Sequence, residues 1–94
     1  MDRQQENRII IEVLQGDRQK YSLLVEHYKG HVFHLAYRMT GDLSEAEDLT
    51  QETFIRAYLH LSKFHPDRSF FTWLYTIGIN LIRNQRIRRM SPRG

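Results

Sequence analysis

Apolar residues recur along most of this chain at steps of three and four, with polar residues between them, the spacing that keeps one face of an α-helix apolar. Ile9, Ile10, Val13 and Leu14 mark a first helix from Arg3 to Gln15, and Asp2 with Gln5 three residues on has the spacing of a capping box. Gly16-Asp17 ends that helix and caps the next. The second helix runs from Arg18 to Met39. Tyr21, Leu24, Val25, Tyr28, Val32, Leu35, Ala36 and Met39 form its main stripe, and Phe33 and Tyr37 fall on the opposite side. A helix apolar on two sides is expected at the centre of a fold. Ser44 and Glu47 give the third helix an S-x-x-E start, with acids in the first turn where the helix dipole favours them. It extends to Ser62. Residues 63–69 read as a loop, because Pro66 disfavours helix at His65. A fourth helix begins near Phe70–Thr72 and continues to Arg89, and Ser91-Pro92-Arg93-Gly94 is a helix-breaking tail. The expected fold is all-α, a compact three- to four-helix bundle.

With 94 residues the chain makes one small domain, and 40% hydrophobic with 27% charged residues suits a folded chain. The absence of cysteine excludes disulfides and thiolate metal sites. MDRQQENR at the N-terminus carries no signal-peptide core, and no apolar run approaches the ~20 residues of a membrane span, so a soluble cytoplasmic protein is expected. The net charge of +3 is unevenly placed. Asp42, Glu45, Glu47, Asp48 and Glu52 cluster without a Lys or Arg, whereas Arg83, Arg86, Arg88, Arg89 and Arg93 cluster without an acid. The basic end suits an anionic polymer and the acidic middle a different partner, unless both are simply solvated helix faces.

Two faces exceed what a core requires. On the third helix Ala46, Leu49, Thr50, Thr53, Ala57 and Leu61 share the core side, leaving Asp48, Gln51, Glu52, Ile55 and Leu59 on another. Aliphatics among acids and an amide suit a protein contact, or else another helix covers Ile55 and Leu59. On the fourth helix Trp73, Leu74, Ile77, Gly78 and Leu81 point inward, and Thr76, Asn80, Arg83, Asn84 and Ile87 form a polar stripe. Amides at that spacing cost helix stability and are suited to base edges, with Arg83 near a phosphate, although a tolerated polar surface has the same pattern. The preceding loop brings Phe64, Phe70 and Phe71 beside Lys63, His65 and Arg68, the ingredients for stacking an unpaired base and holding its backbone. At least one of these rings, and Trp73, is expected in the core. His27, His31 and His34 share one arc of the second helix near Glu26. Two of them have metal-ligand spacing, but no complete ligand set is legible, and partly buried structural histidines are the expectation.

Asp48-Leu49-Thr50-Gln51-Glu52-Thr53-Phe54-Ile55-Arg56-Ala57-Tyr58 resembles the D-L-x-Q-E-x-F-x-x-A-Y signature of region 2 in the extracytoplasmic-function branch of the sigma-70 family. Phe70-Phe71-Thr72-Trp73-Leu74-Tyr75-Thr76-Ile77 resembles that branch's F-x-T-W-L-x-x-I motif, with Asn80 where the family commonly has Asn. The resemblance runs from about Ile11 to Arg89. It implies a region 2 helical bundle whose acidic third helix grips the clamp helices of the largest subunit of core RNA polymerase, a role that falls to Asp48, Gln51, Glu52, Ile55 and Leu59. It implies capture of a flipped non-template base of the promoter −10 element by Phe64, Phe70 and Asn80, with backbone contacts from Lys63 and Arg68. Thr76, Arg83, Asn84 and Arg88 complete the expected single-stranded DNA surface. An anti-sigma factor is a further expected partner. The chain departs from the pattern at Asn84, where many members have Asp, at Gly78, where Ala is usual, and at Phe71, where small or polar residues are common.

The expectation is a transcription initiation domain over residues 1–90 that uses no cofactor and catalyses no reaction. Residues 91–94 are read as the start of a linker, with the family's −35-binding domain absent. A duplex-binding helix-turn-helix protein, a pure interaction module and a metal protein or enzyme are the rivals. The first predicts duplex preferred over single strands, the second no nucleic-acid preference, and the third a nucleophile–base pair or phosphate loop that the sequence does not contain.

Overall fold

Asp2 accepts from the Gln5 amide at 2.8 Å while its own amide donates to the Gln5 side chain at 3.1 Å, so the expected capping box starts the first helix. In a computed structural model of the chain, α1 spans Arg3–Leu14, α2 Tyr21–Thr40, α3 Leu43–Leu59 and α4 Phe70–Met90, with 3₁₀ turns at Arg18–Lys20 and Leu61–Lys63. The structure describes the backbone of residues 1–90 and the side chains of residues 1–85. Among them there is no strand, and no helix is long and apolar enough to cross a membrane. The all-α four-helix expectation stands.

The inward stripe of α1 is Glu6, Ile10 and Val13, one turn earlier than the apolar pattern suggests, and Leu14 is exposed. Glu6 is admitted to the interior because the Tyr28 hydroxyl donates to its carboxylate. Burial, and then the Glu6 partner, push the Tyr28 phenol above its ordinary range. Gly16, at a φ of 118°, makes the turn after α1 that a side chain would oppose. Asp17 follows it without the expected side-chain cap. Lys20 instead ties the 3₁₀ turn back to α1 through Glu12 at 2.8 Å.

α2 is central and packs on α1, α3 and α4. Leu24, Val32 and Ala36 are buried, and Phe33 lies half-buried on the other side, parallel to the exposed Tyr37 ring at 6.2 Å. Gly41 closes α2 in the left-handed conformation, its amide 2.7 Å from the Tyr37 carbonyl. That turn leaves Asp42 extended, and Asp42 caps α3 by accepting from the Glu45 amide at 2.9 Å. The expected Ser44 cap is therefore displaced: Ser44 is already inside the helix.

The larger core joins Leu24, Val32, Phe54, Leu61, Phe64, Phe70 and Leu74, and a smaller one joins Ala36, Ala46, Leu49 and Ile82. Phe54 and Ile82 are core residues that the apolar pattern left unassigned. Leu81 is only half-buried. Gly78 is buried where α4 meets α3, yet a Cβ there would stand 3.5 Å from the Thr53 side chain and 3.8 Å from Leu35. Those are ordinary van der Waals distances. Gly30, exposed within α2, has nothing within 4 Å. Gly78→Ala and Gly30→Ala are each expected to stabilise the fold by up to about 1 kcal/mol, the helix propensity difference, read as a higher urea midpoint at unchanged slope.

Candidate nucleic-acid interface

The segment before α4 is held from both ends. The Phe64 and Arg68 amides donate to the Leu61 and His65 carbonyls at 3.1 and 3.0 Å, and Asn7 of α1 donates to the Pro66 carbonyl at 2.9 Å. Ser69 accepts from the Thr72 amide at 3.2 Å, which starts α4. Lys63, His65 and Arg68 point to solvent. The rings do not. Phe70 is 0% exposed and Phe64 7%. Phe64 packs on Phe70 and Trp73 at 5.5 and 5.4 Å, and Phe70 on Trp73 at 5.8 Å. The base-stacking role expected of Phe64 and Phe70 is corrected on this ground, since a ring with no exposed face has nothing to offer a base. Both hold the loop to the bundle.

Further along α4 the polar stripe faces solvent as far as Asn84. Thr76, Asn80, Arg83 and Asn84 are exposed, and the Thr76 hydroxyl is turned back to the Thr72 carbonyl at 2.9 Å. The side chains of Ile87 and Arg88 lie outside the described residues. Asn80 and Asn84 line a shallow cleft of about 190 Å³ with Ile77, and Arg56 of α3 and His60, which caps that helix, form its other wall. Sequence periodicity did not associate Arg56 and His60 with the amides. The available signal is their own spacing of four, which places both on one edge of the last turn and cap of α3. Arg56 is tethered to Glu52 at 3.1 Å, an exposed pair of little energetic weight that leaves the guanidinium plane accessible. Two amides, a guanidinium and an imidazole around an apolar floor supply hydrogen bonds and a stacking surface to one unpaired base.

Asp48, Gln51, Glu52, Ile55 and Leu59 form one exposed ridge on α3. Ile55 is 54% and Leu59 68% exposed, which removes the alternative that another helix of the bundle covers them. The ridge separates two clefts. Gln51 and Ile55 border an apolar one of about 580 Å³ with Tyr21, Val25, Phe54 and Tyr58. Asp48 and Glu52 border a smaller polar one toward α4. The Tyr21 hydroxyl donates to the Phe54 carbonyl at 2.6 Å, and burial, followed by the nearby Tyr58, raises its phenol above the ordinary range. His27, His31 and His34 are exposed on α2 rather than partly buried as expected, because they lie outside the stripe that α1, α3 and α4 cover, and no group of three or more metal-ligating side chains converges among the described residues.

Sigma-70 region 2 matches residues 24–91 of the chain. The chain belongs to the sigma-70 family. Its branch is the extracytoplasmic-function one. This sigma chain is 45% identical over 83 residues to the extracytoplasmic-function RNA polymerase sigma factor SigW of Bacillus subtilis, covering 88% of the chain and 44% of that protein. It is 37% identical over 89 residues to RNA polymerase sigma-H factor of Pseudomonas aeruginosa, covering 95% and 46%. With the extracytoplasmic-function sigma-E factor of Escherichia coli it is 36% identical over 85 residues, covering 89% and 44%. The sigma chain thus spans about half the length of these relatives. Among solved structures it resembles an engineered region 2 of sigmaE determined by NMR in complex with GTAAAA. The TM-score is 0.82 at 33% identity, covering 98% of this chain and 96% of that one.

Proposed function

We propose that residues 1–90 are a transcription initiation module that docks on core RNA polymerase and holds unpaired promoter −10 DNA, without catalysing a reaction. The observation that carries this reading is the likeness, over nearly the whole chain, to a region 2 solved with GTAAAA, in a chain whose own α4 leaves Asn80 and Asn84 exposed in a cleft. The α3 ridge of Asp48, Gln51, Glu52, Ile55 and Leu59 is the polymerase contact, on the clamp helices of the largest subunit. The cleft on α4 takes a base flipped from the non-template strand. Lys63, Arg68, Arg83 and Arg88 meet the phosphates, and Thr76 lies along the strand's path. Action on the nucleoid in the bacterial cytoplasm, and restraint by an anti-sigma factor, belong to the same reading.

Melting follows from capture. Unpairing a base costs a few kcal/mol, and hydrogen bonds with stacking in the cleft offset that cost only once the base has left the duplex. Asn80→Ala is expected to weaken labelled GTAAAA about tenfold and a scrambled hexamer far less, because a base-edge contact carries about 1–3 kcal/mol of discrimination. Equal loss on both strands, measured by fluorescence anisotropy at fixed salt, removes Asn80 from base reading. Tighter binding of the matched duplex returns the helix-turn-helix alternative to the front.

A further inference from the structure

Phe71 and the histidines of α2 are unused by the site above, and they meet in one place. Phe71 lies half-buried over Tyr28, ring on ring at 5.3 Å with 19° between the planes. Tyr75 leans on it at 5.0 Å, and His31 meets its edge at 5.6 Å. Phe71, Tyr75 and His31 line an open groove of about 610 Å³ between α2 and α4, with Tyr28 beneath Phe71, a volume in the range of small-ligand clefts. Lys29, His34 and Arg38 stand on its α2 wall, all exposed. Glu26 is the carboxylate lining the groove, and Lys29 holds it at 2.9 Å. Arg38 has no ion-pair partner among the described residues. The groove therefore offers an aromatic floor, nitrogen donors along one wall and a net positive charge.

We infer that this groove is a second subsite for single-stranded DNA, which receives a nucleotide some way along the strand from the base held at Asn80. The inference rests on the proposed function for the strand itself. The aromatic floor suits an unpaired base, whose face stacks on rings whatever its sequence. The Arg38 guanidinium and the histidines suit the adjoining phosphate. An acidic peptide would satisfy the charge but would leave the floor without a planar partner. Placement agrees with this. Asn80 and Asn84 lie on the α3 side of α4, while Phe71 and Tyr75 lie on its α2 side. Exposed Thr72, Thr76 and Arg83 lie between them on the outer face. Tyr75 precedes Asn80 by five residues, about 7.5 Å of axial rise, on a helix about 10 Å across. A strand passing over the outer face therefore travels roughly 17 Å, about five nucleotides at about 3.4 Å each, which is more than the hexamer leaves free beyond a base held at Asn80.

The test compares labelled GTAAAA with the same hexamer extended by about six thymidines at the 5′ or the 3′ end, on the intact chain. One of the two extensions is expected to tighten binding about tenfold, the effect of roughly one stacked base. Arg38→Glu and Tyr75→Ala are each expected to remove most of that gain and to leave hexamer affinity within about twofold. Arg8→Glu, on α1, should leave the gain intact. The inference is overturned if neither extension tightens binding, or if Arg8→Glu removes as much of the gain as Arg38→Glu, which would make it unspecific attraction. Failure of the parent reading looks different: Asn80→Ala would have no effect on the hexamer while the Arg38-dependent gain persists. If neither strand binds, both fall.

Discussion

Phe70→Ala is expected to cost about 3–5 kcal/mol of folding stability, the range for removing a fully buried aromatic ring. Domains of this size have about 5–15 kcal/mol in all, so the variant should be largely unfolded at modest urea concentrations and its melting temperature should fall steeply. Phe70 is enclosed by Phe64, Trp73 and Tyr28, at 5.5, 5.8 and 5.8 Å between ring centroids, and it joins the start of α4 to α2 and to the preceding loop. Circular dichroism during a urea titration measures the loss, and the same protein titrated with GTAAAA under folding conditions separates the two roles. If the ring acts on DNA, the variant stays folded and loses oligonucleotide binding. The packing found here gives the opposite order, with binding lost only in step with the folded fraction.

Phe64 and Phe70 also mark where the sequence ceases to be informative. Helix positions are legible in it, because they depend on local spacing and on punctuation by Gly16, Gly41 and Pro66. That Ile55 and Leu59 leave the core face is legible for the same reason, once Ala46, Leu49, Thr53 and Ala57 face inward, but whether a further helix covers them is not, and only the packing of the bundle leaves them exposed. A ring in a loop has no period to orient it. Whether Phe64 faces a base or the core is decided by Phe70 and Trp73, which reach it only through the fold of the loop back onto the bundle. The cleft is partly illegible for a similar reason. Asn80 and Asn84 stand out as amides on one helix, but Arg56 and His60 join them from the end of another, and a single sequence carries no pairing between the two. Ser44 fails as a cap because the left-handed Gly41 has already placed Asp42 in the extended conformation that capping needs, two residues earlier. Glu6 shows the limit of apolar counting. A carboxylate takes a core position because a tyrosine 22 residues away in the chain supplies its hydrogen bond.

Ile55→Glu is expected to weaken docking on core polymerase about thirtyfold or more while leaving the fold and oligonucleotide binding as they are. Ile55 is more than half exposed, so folding gives up little when it is replaced, within about 0.5 kcal/mol for a surface position. Docking is another matter. The side chain stands on the crest of the α3 ridge, beside the apolar cleft formed with Tyr21, Val25, Phe54 and Tyr58, which is where a partner's apolar anchor would be desolvated. A carboxylate there must be buried without a partner or must hold the two surfaces apart, and centrally placed anchors cost about 2 kcal/mol or more when lost, some thirtyfold in affinity. Leu59→Glu, one turn on and more exposed still, is expected to act in the same direction. Pull-down with bacterial core polymerase gives the docking result, and anisotropy with GTAAAA gives the DNA result on the same preparations. Loss of both together would point to unfolding, which the melting curve reveals. Undiminished docking in both variants would move the polymerase contact off this ridge. The clean outcome, docking lost and strand binding kept, would mean that α3 and α4 carry separable functions. Melting would then depend on their rigid connection through the buried contacts of Thr53 with Gly78 and of Leu49 with Ile82.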